Sequence, residues 1–158
     1  MRTSSPPPPK PRKKPPPSSP TLPKTMTDPD LIQAALDARA NAHAPYSKFQ
    51  VGAALRTAAG AIITGANVES ASYGLSCCAE RVALFKAITD GHTDFTAMAI
   101  ASHGGASPCG ACRQLLAEQA PAATLHLIDS NQPETTTETT PQALLPNAFT
   151  GDQLPTDD

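Results

Sequence analysis

Residues 95–128 read FTAMAIASHGGASPCGACRQLLAEQAPAATLHLI, and this stretch decides the fold. The apolar run Phe95–Ser102 predicts a buried strand, and residues 124–128 predict another. Between them, residues 109–119 predict a helix that ends before Pro121, because proline cannot continue a helix. Strands that alternate with helices in this order indicate a layered α/β domain with a largely parallel portion.

The chain before this unit predicts a strand hairpin followed by a helix. Residues 51–57 and 61–67 are short apolar runs, and Ala58-Ala59-Gly60 separates them as a turn would. A helix is expected over residues 78–90, with Gly91 as its stop signal. These elements supply two further strands and one further helix to the same domain.

The sequence predicts a clear element at the N-terminal end of this region but not at its C-terminal end. Thr27-Asp28-Pro29-Asp30 predicts a helix start, with the Thr27 hydroxyl as cap, and the helix is expected to reach about Ala42. Residues 135–140 fit either an edge strand or a loop, since their periodicity does not decide between the two. An apolar patch over residues 144–149 follows on an otherwise polar end.

A change of composition divides the chain near residue 25. Residues 1–25 hold ten of the eighteen prolines and the basic run at 10–14, so we predict a disordered proline-rich basic tail. This tail could serve as a ligand for a proline-recognising domain or as a basic address signal. Residues 26–158 are long enough for one domain with a sizeable core.

Charge and hydropathy exclude several function classes. Six of the twelve Lys and Arg residues lie before residue 25, which leaves six against fourteen acidic residues, a net charge of about −8. Nucleic-acid binding rests on Lys and Arg, so this acidic domain favours a small-molecule partner. The sequence contains no apolar stretch long enough for a membrane span and no apolar secretory segment, and we therefore expect a cytoplasmic protein without membrane contact.

Three of the four cysteines have the spacing of a metal site. Cys109 and Cys112 lie about one helical turn apart, and Cys78 is predicted at the start of another helix. Helix starts favour the thiolate form that binds metals. We therefore predict a Zn²⁺ site formed by Cys78, Cys109 and Cys112, whereas Cys77 is expected to be a small packed side chain.

The predicted site has three protein ligands, which leaves one coordination position for water and distinguishes a catalytic zinc from a structural one. No histidine has motif spacing to a cysteine, although four are present: His43, His92, His103 and His126. Glu80, two residues after Cys78, is placed to transfer protons to and from a metal-bound water. Arg81 is placed to offset the excess negative charge of three thiolates by hydrogen bonding to sulfur.

These motifs resemble the zinc signature of the cytidine deaminase family, in its small, homotetrameric, three-cysteine form. The likeness covers about residues 30–154. It rests on the following stretches: Cys78-Ala79-Glu80-Arg81, Pro108-Cys109-Gly110-Ala111-Cys112-Arg113-Gln114, residues 45–55, residues 65–74 and residues 144–149. Ser70 departs from the pattern, because the family commonly has Asn after the Glu, and we expect this to change local hydrogen bonding rather than chemistry.

The resemblance implies a three-layer α/β/α sandwich with a mixed five-stranded sheet, in which the two zinc helices lie side by side. It also implies contacts to a pyrimidine nucleoside. Asn67 and Glu69, with Val68 between them, would bind the ribose, and Phe49 would pack against the pyrimidine. The backbone of Ala79 would read the base edge, and Phe149 of a neighbouring subunit would close over the ring.

The sequence therefore predicts zinc-dependent hydrolytic deamination of cytidine and deoxycytidine, within pyrimidine salvage, by a homotetramer with shared active sites. One alternative is a deaminase of another aminated nucleoside, such as blasticidin S. The stretch Asn67-Val68-Glu69 and Phe149 favour a plain nucleoside. A second alternative is a structural zinc module whose proline-rich tail binds a partner; Glu80 and the missing fourth ligand count against it.

Overall fold

The structure is a computed structural model that describes residues 28–155. The predicted tail and the predicted Thr27 cap lie outside these residues. The main elements in chain order are α1 (Pro29–Arg39), β1 (Val51–Thr57), β2 (Ile62–Ala66), α2 (Ala79–Thr89), β3 (Phe95–Ser102), α3 (Gly110–Gln119), β4 (Thr124–Asp129), β5 (Thr136–Thr139) and the short α4 (Pro141–Leu144). None of the helices in this part of the chain has the length and apolarity needed to cross a membrane.

The five strands form one mixed sheet in the order β2-β1-β3-β4-β5. Strands β3 and β4 are parallel and are joined by the crossover helix α3, whereas the other three pairs are antiparallel. The parallel portion is thus a single pair of strands, whereas the alternation of strands and helices in the sequence predicts a larger one. The reason is that α2 leads from β2 to β3 without making them neighbours, because β1 lies between them and pairs with both.

Helix α1 begins on an acidic cap and ends earlier than predicted. Asp28 is the N-cap, and its carboxylate accepts a hydrogen bond from the Leu31 backbone amide at 3.1 Å, so the cap is a carboxylate and not a hydroxyl. The helix ends at Arg39, three residues before the predicted limit. The following backbone amides, those of Asn41 and Ala42, bond to carbonyls three residues back, which tightens the chain into a turn.

The sheet is covered on both faces, which gives the three-layer sandwich. Helix α1 packs on one face, over a cluster of small strand residues: Ala54, Ala97, Ala99 and Ala101. Helices α2 and α3 pack on the other face, over a larger core that includes Leu55, Met98, Ile100 and Leu125. Close packing depends on glycine: a Cβ on Gly52 would lie 2.2 Å from the Ala35 carbonyl oxygen, and one on Gly65 would lie 2.4 Å from the Ala83 nitrogen.

The cap of α1 also forms an ion pair that makes stability depend on pH. Arg56 on β1 donates from Nη2 to Asp28 Oδ1 at 2.7 Å, and this pairing lowers the pKa of the Asp28 carboxyl. A lowered folded-state pKa stabilises the fold above the unfolded-state value of about 4, and this stabilisation is lost as the pH falls through the folded-state pKa.

We predict that Asp28→Asn lowers the free energy of unfolding by about 1 kcal/mol at pH 7, and that the difference from the unaltered protein shrinks as the pH falls from about 4 through the lowered folded-state pKa of Asp28. Urea unfolding at a series of pH values measures both effects. Arg56→Met should show the same pH-dependent loss of unfolding free energy, because it removes the other partner of the ion pair. An equal difference at pH 7 and pH 3 would contradict the ion-pair explanation.

Candidate metal centre and substrate pocket

The starts of α2 and α3 bring the three predicted cysteines together. Cys78 is the N-cap of α2, Cys109 is the N-cap of α3, and Cys112 lies in the first turn of α3. Their Sγ atoms all lie within 4.8 Å of one another. The Cys78–Cys109 sulfur distance is 3.8 Å, and the Cys109–Cys112 distance is 3.6 Å.

This sulfur geometry fits a zinc ion. A tetrahedral site with Zn–S bonds of about 2.3 Å places its sulfur atoms about 3.8 Å apart, close to the two distances above. Within residues 28–155, Cys77 and the histidines do not join the three-cysteine group. The group therefore offers three sulfur donors, a set that fits a zinc site with one position left for water.

The local electrostatics favour a thiolate at Cys78. Hydrogen bonds from the Cys112 thiol, and then from Arg81 and Cys109, outweigh burial and lower the pKa of Cys78 to about 5. Arg81 donates from Nη2 to Cys78 Sγ at 3.6 Å and to the Ser76 carbonyl at 3.1 Å. The guanidinium thus lies where the sequence predicts it, against one of the metal-binding sulfurs.

A cavity of about 210 Å³ opens beside these cysteines. Glu80 lies on its wall with only 5% of its surface exposed, and burial raises the pKa of its carboxyl, with a further contribution from the Cys78 thiolate. The residues that line the cavity are Ser47, Phe49, Val51, Asn67, Glu69, Cys78, Ala79, Glu80, Ile100, Ser102, Ala106, Ser107 and Cys109. The lining therefore combines two of the three clustered cysteines and Glu80 with Phe49, Asn67 and Glu69.

Asn67 holds the chain segment that places Phe49 in the cavity. Its Oδ1 accepts a hydrogen bond from the Val51 amide at 2.8 Å, and its Nδ2 donates to the Phe49 carbonyl at 2.9 Å. Both ends of the side-chain amide are thus engaged with the backbone on either side of Gln50. In this structure, the amide that the resemblance assigns to the ribose also fixes the loop before β1.

Glu69 is held by the turn that precedes this loop. Its Oε2 accepts from the backbone amides of Tyr46 and Ser47, at 3.0 Å and 3.1 Å, and its Oε1 accepts from the Ser47 hydroxyl. These hydrogen bonds, with that of the Ser47 hydroxyl as the largest cause, lower the pKa of the Glu69 carboxyl. The carboxylate is therefore ionised and oriented at the mouth of the cavity, as an acceptor for a hydroxyl group requires.

Two predicted contact residues lie outside the cavity of their own chain. Val68 has 48% of its surface exposed, and its backbone forms two hydrogen bonds of 2.9 Å with Cys77, directly before the first metal-binding cysteine. Phe149 has 55% of its surface exposed, and its carbonyl accepts a hydrogen bond from Gln114 at 2.7 Å. The structure thus assigns Val68 a backbone contact near the metal centre, and it leaves the Phe149 ring free at the surface.

Arg113 supports the site, and the sequence analysis gave it no role. Its Nε donates to the Pro108 carbonyl at 2.8 Å, and its Nη2 donates to the Ser107 hydroxyl at 3.0 Å. Its Nη1 donates to the Leu144 carbonyl at 3.0 Å. The position of Arg113 directly after Cys112 indicates that it lies near the cysteine group. Its hydrogen-bond partners cannot be predicted from spacing, because one of them lies 31 residues away.

The chain is similar in sequence to a known protein family and to individual known proteins. A family model described as "Cytidine and deoxycytidylate deaminase zinc-binding region" matches residues 25–126. A cytidine deaminase of Halalkalibacterium halodurans is 48% identical over 126 residues, which cover 78% of this chain and 95% of that protein. A blasticidin-S deaminase of Bacillus cereus is 34% identical over 85 residues, which cover 48% of this chain and 61% of that one.

A solved structure is similar in fold as well as in sequence. The crystal structure of cytidine deaminase from Burkholderia pseudomallei is 46% identical to this chain, with a TM-score of 0.74, and the match covers 78% of this chain and 100% of that one. The likeness therefore extends over most of the described fold.

Proposed function

The chain belongs to the cytidine and deoxycytidylate deaminase family, and we therefore propose that it converts cytidine and deoxycytidine to uridine and deoxyuridine with release of ammonia. The observation that carries this proposal is the meeting of three cysteine sulfurs within 4.8 Å of one another, with Cys78, Cys109 and the buried Glu80 lining one cavity. Such a site binds a zinc ion and adds water to a bound base, which makes the protein a hydrolase.

Cys78, Cys109 and Cys112 would hold Zn²⁺, which when bound would supply an acidified water, because zinc lowers the pKa of bound water to about 7. Glu80 would take one proton from that water and pass it to N3 of the cytosine ring as the water oxygen adds to C4. Glu80 would then pass the proton of the hydroxyl now on C4 to the amino nitrogen, so that the bond between C4 and this nitrogen breaks, C4 becomes a carbonyl and ammonia leaves. Arg81 balances part of the thiolate charge through its contact with Cys78.

Five further residues, in and near the lining of the cavity, bind and orient the nucleoside in this proposal. Phe49 packs against the pyrimidine, and the backbone of Ala79 at the start of α2 reads the base edge. Asn67, Val68 and Glu69 form the sugar-binding stretch, in which the ionised Glu69 carboxylate accepts from a ribose hydroxyl. The turn around Ser47 supports this assignment, because it fixes the carboxylate before substrate arrives.

We further propose that the protein works as a cytoplasmic homotetramer in pyrimidine salvage. The exposed ring of Phe149 supports a shared site, because it does not reach the cavity of its own chain. Supplied by a neighbouring subunit, this ring would cover the substrate and exclude water. Residues 1–25 would serve as a ligand for a proline-recognising domain or as a basic address signal.

Ammonia release tests the proposed reaction, and its oligomeric dependence tests the shared site. We expect the full zinc-loaded chain to release ammonia from cytidine and deoxycytidine far faster than from blasticidin S. We also expect the activity to elute with a tetramer in size-exclusion chromatography with light scattering. Turnover of blasticidin S without turnover of cytidine would favour a deaminase of another aminated nucleoside. Absence of turnover would favour a structural zinc module. A fully active monomer would contradict the shared site.

A further inference from the structure

Gln114 makes an unusual contact between the metal helix and the C-terminal segment. It lies in α3, two residues after Cys112, and its Nε2 donates to the backbone carbonyl of Phe149 at 2.7 Å. The bond joins residues that are 35 positions apart. The partner is the carbonyl of the residue whose exposed ring the proposed function assigns to the neighbouring subunit.

The segment that carries Phe149 is attached to α3 at two points. Arg113 bonds the Leu144 carbonyl at 3.0 Å, and Gln114 bonds the Phe149 carbonyl five residues later. Between these points, Asn147 adopts a φ of 56°, in the left-handed region. Two successive residues of the metal helix therefore hold both ends of a short turn, and the second anchor lies on the residue that bears the ring.

A fixed backbone determines where an exposed ring points. The position of the Phe149 Cα–Cβ bond follows from its own backbone, and the ring then has only two rotatable bonds. If the carbonyl of Phe149 is released, the backbone after the left-handed Asn147 gains freedom, and the ring samples other directions. Binding to a neighbouring pocket would then require the ring to be ordered first, which weakens binding.

We propose that Gln114 is a positioning residue for substrate binding: by holding the Phe149 carbonyl, it directs the Phe149 ring toward the pocket of a neighbouring subunit. This inference rests on the proposed function, since it requires that the ring cover a nucleoside in the assembled protein. Gln114 is the last residue of the second zinc motif, and its proposed role is in substrate affinity rather than in the chemical step. Gln114 itself does not line the cavity.

Gln142 provides a matched control in the same C-terminal part of the chain. Its Nε2 donates to the Pro121 carbonyl at 2.6 Å, so it makes the same kind of bond as Gln114, from a side-chain amide to a distant backbone carbonyl. It lies in α4, before the Arg113 anchor at Leu144. Loss of this bond removes one attachment of the C-terminal region without releasing Phe149.

The test is a double-mutant cycle in the full-length, zinc-loaded protein. We expect Gln114→Met to raise the KM for cytidine about 2- to 10-fold, the range for loss of one hydrogen bond, with kcat, zinc content and oligomeric state unchanged. Phe149→Ala should raise the KM at least as much. The double variant should match Phe149→Ala alone, because Gln114 acts only through the ring. Gln142→Met should leave the KM unchanged.

Hydrogen exchange provides a second readout that does not depend on activity. In Gln114→Met, the amides of residues 147–151 should exchange faster, whereas those of α3 should not. Additive KM effects in the double variant, or an equal rise in Gln142→Met, would overturn the inference and indicate general loosening.

The outcomes also separate this inference from the proposed function. A normal KM in Gln114→Met together with a raised KM in Phe149→Ala would overturn the role of Gln114 alone. A normal KM in Phe149→Ala would overturn the role of the ring, and lack of turnover by the unaltered protein would overturn the proposed reaction.

Discussion

Glu80→Gln should bind zinc like the unaltered protein and lose nearly all deamination, with kcat reduced by about 10² to 10⁴-fold. Glutamine keeps the shape and buried position of the side chain, but it cannot accept a proton and return it to the substrate. The substitution leaves the three cysteine ligands intact, so metal analysis should give about one zinc per chain. Steady-state ammonia release measures the rate.

Glu118→Gln is a suitable control, because it makes the same chemical change at an exposed position of α3. We expect it to retain the normal kcat and KM for cytidine. Two results would count against the proposed role of Glu80: turnover of the variant close to the normal rate, or a loss of rate explained entirely by lost zinc. The first would require another proton carrier on the wall of the cavity.

Local sequence signals predicted most of the elements, because their limits are set by nearby residues. The bounds of Val51–Thr57 and Phe95–Ser102 agree with the structure, since both are apolar runs with clear breaks on either side. Helix α2 ends before Gly91, which adopts a φ of 91° as a glycine stop requires. Residues 136–139 form an edge strand that pairs with β4. The local sequence fits a strand or a loop equally, so this outcome depends on pairing across the sheet.

The cysteine group was easier to predict from the sequence than the contacts that shape the rest of the cavity. Two helix starts with cysteines at motif spacing define the sulfur cluster, and the structure brings these atoms together. The supporting contacts join distant parts of the chain and carry no local pattern. The amide of Asn67 reaches residues 49 and 51, and Arg113 reaches Leu144. Such contacts depend on how the sheet and loops are assembled, which spacing along the sequence does not reveal.

The largest effect on the metal itself is expected from Cys112→Ser. Cys112 is the buried member of the three-cysteine group, and its burial means that solvent cannot easily replace it as a ligand. A serine hydroxyl is a much poorer zinc ligand than a thiolate, because it is rarely deprotonated at neutral pH. We expect the variant to lose most of its zinc and at least about 100-fold in kcat/KM, as measured by metal analysis after dialysis and by ammonia release.

Cys77→Ser is the matched control, since it makes the same substitution at the cysteine that directly precedes Cys78 and lies outside the group. The backbone bonds between Cys77 and Val68 do not involve its side chain, so the chain path into Cys78 is retained. Cys77→Ser should therefore keep about one zinc per chain and its activity. If both variants lost zinc equally, Cys77 would belong to the metal centre and the site would be a closed, structural one.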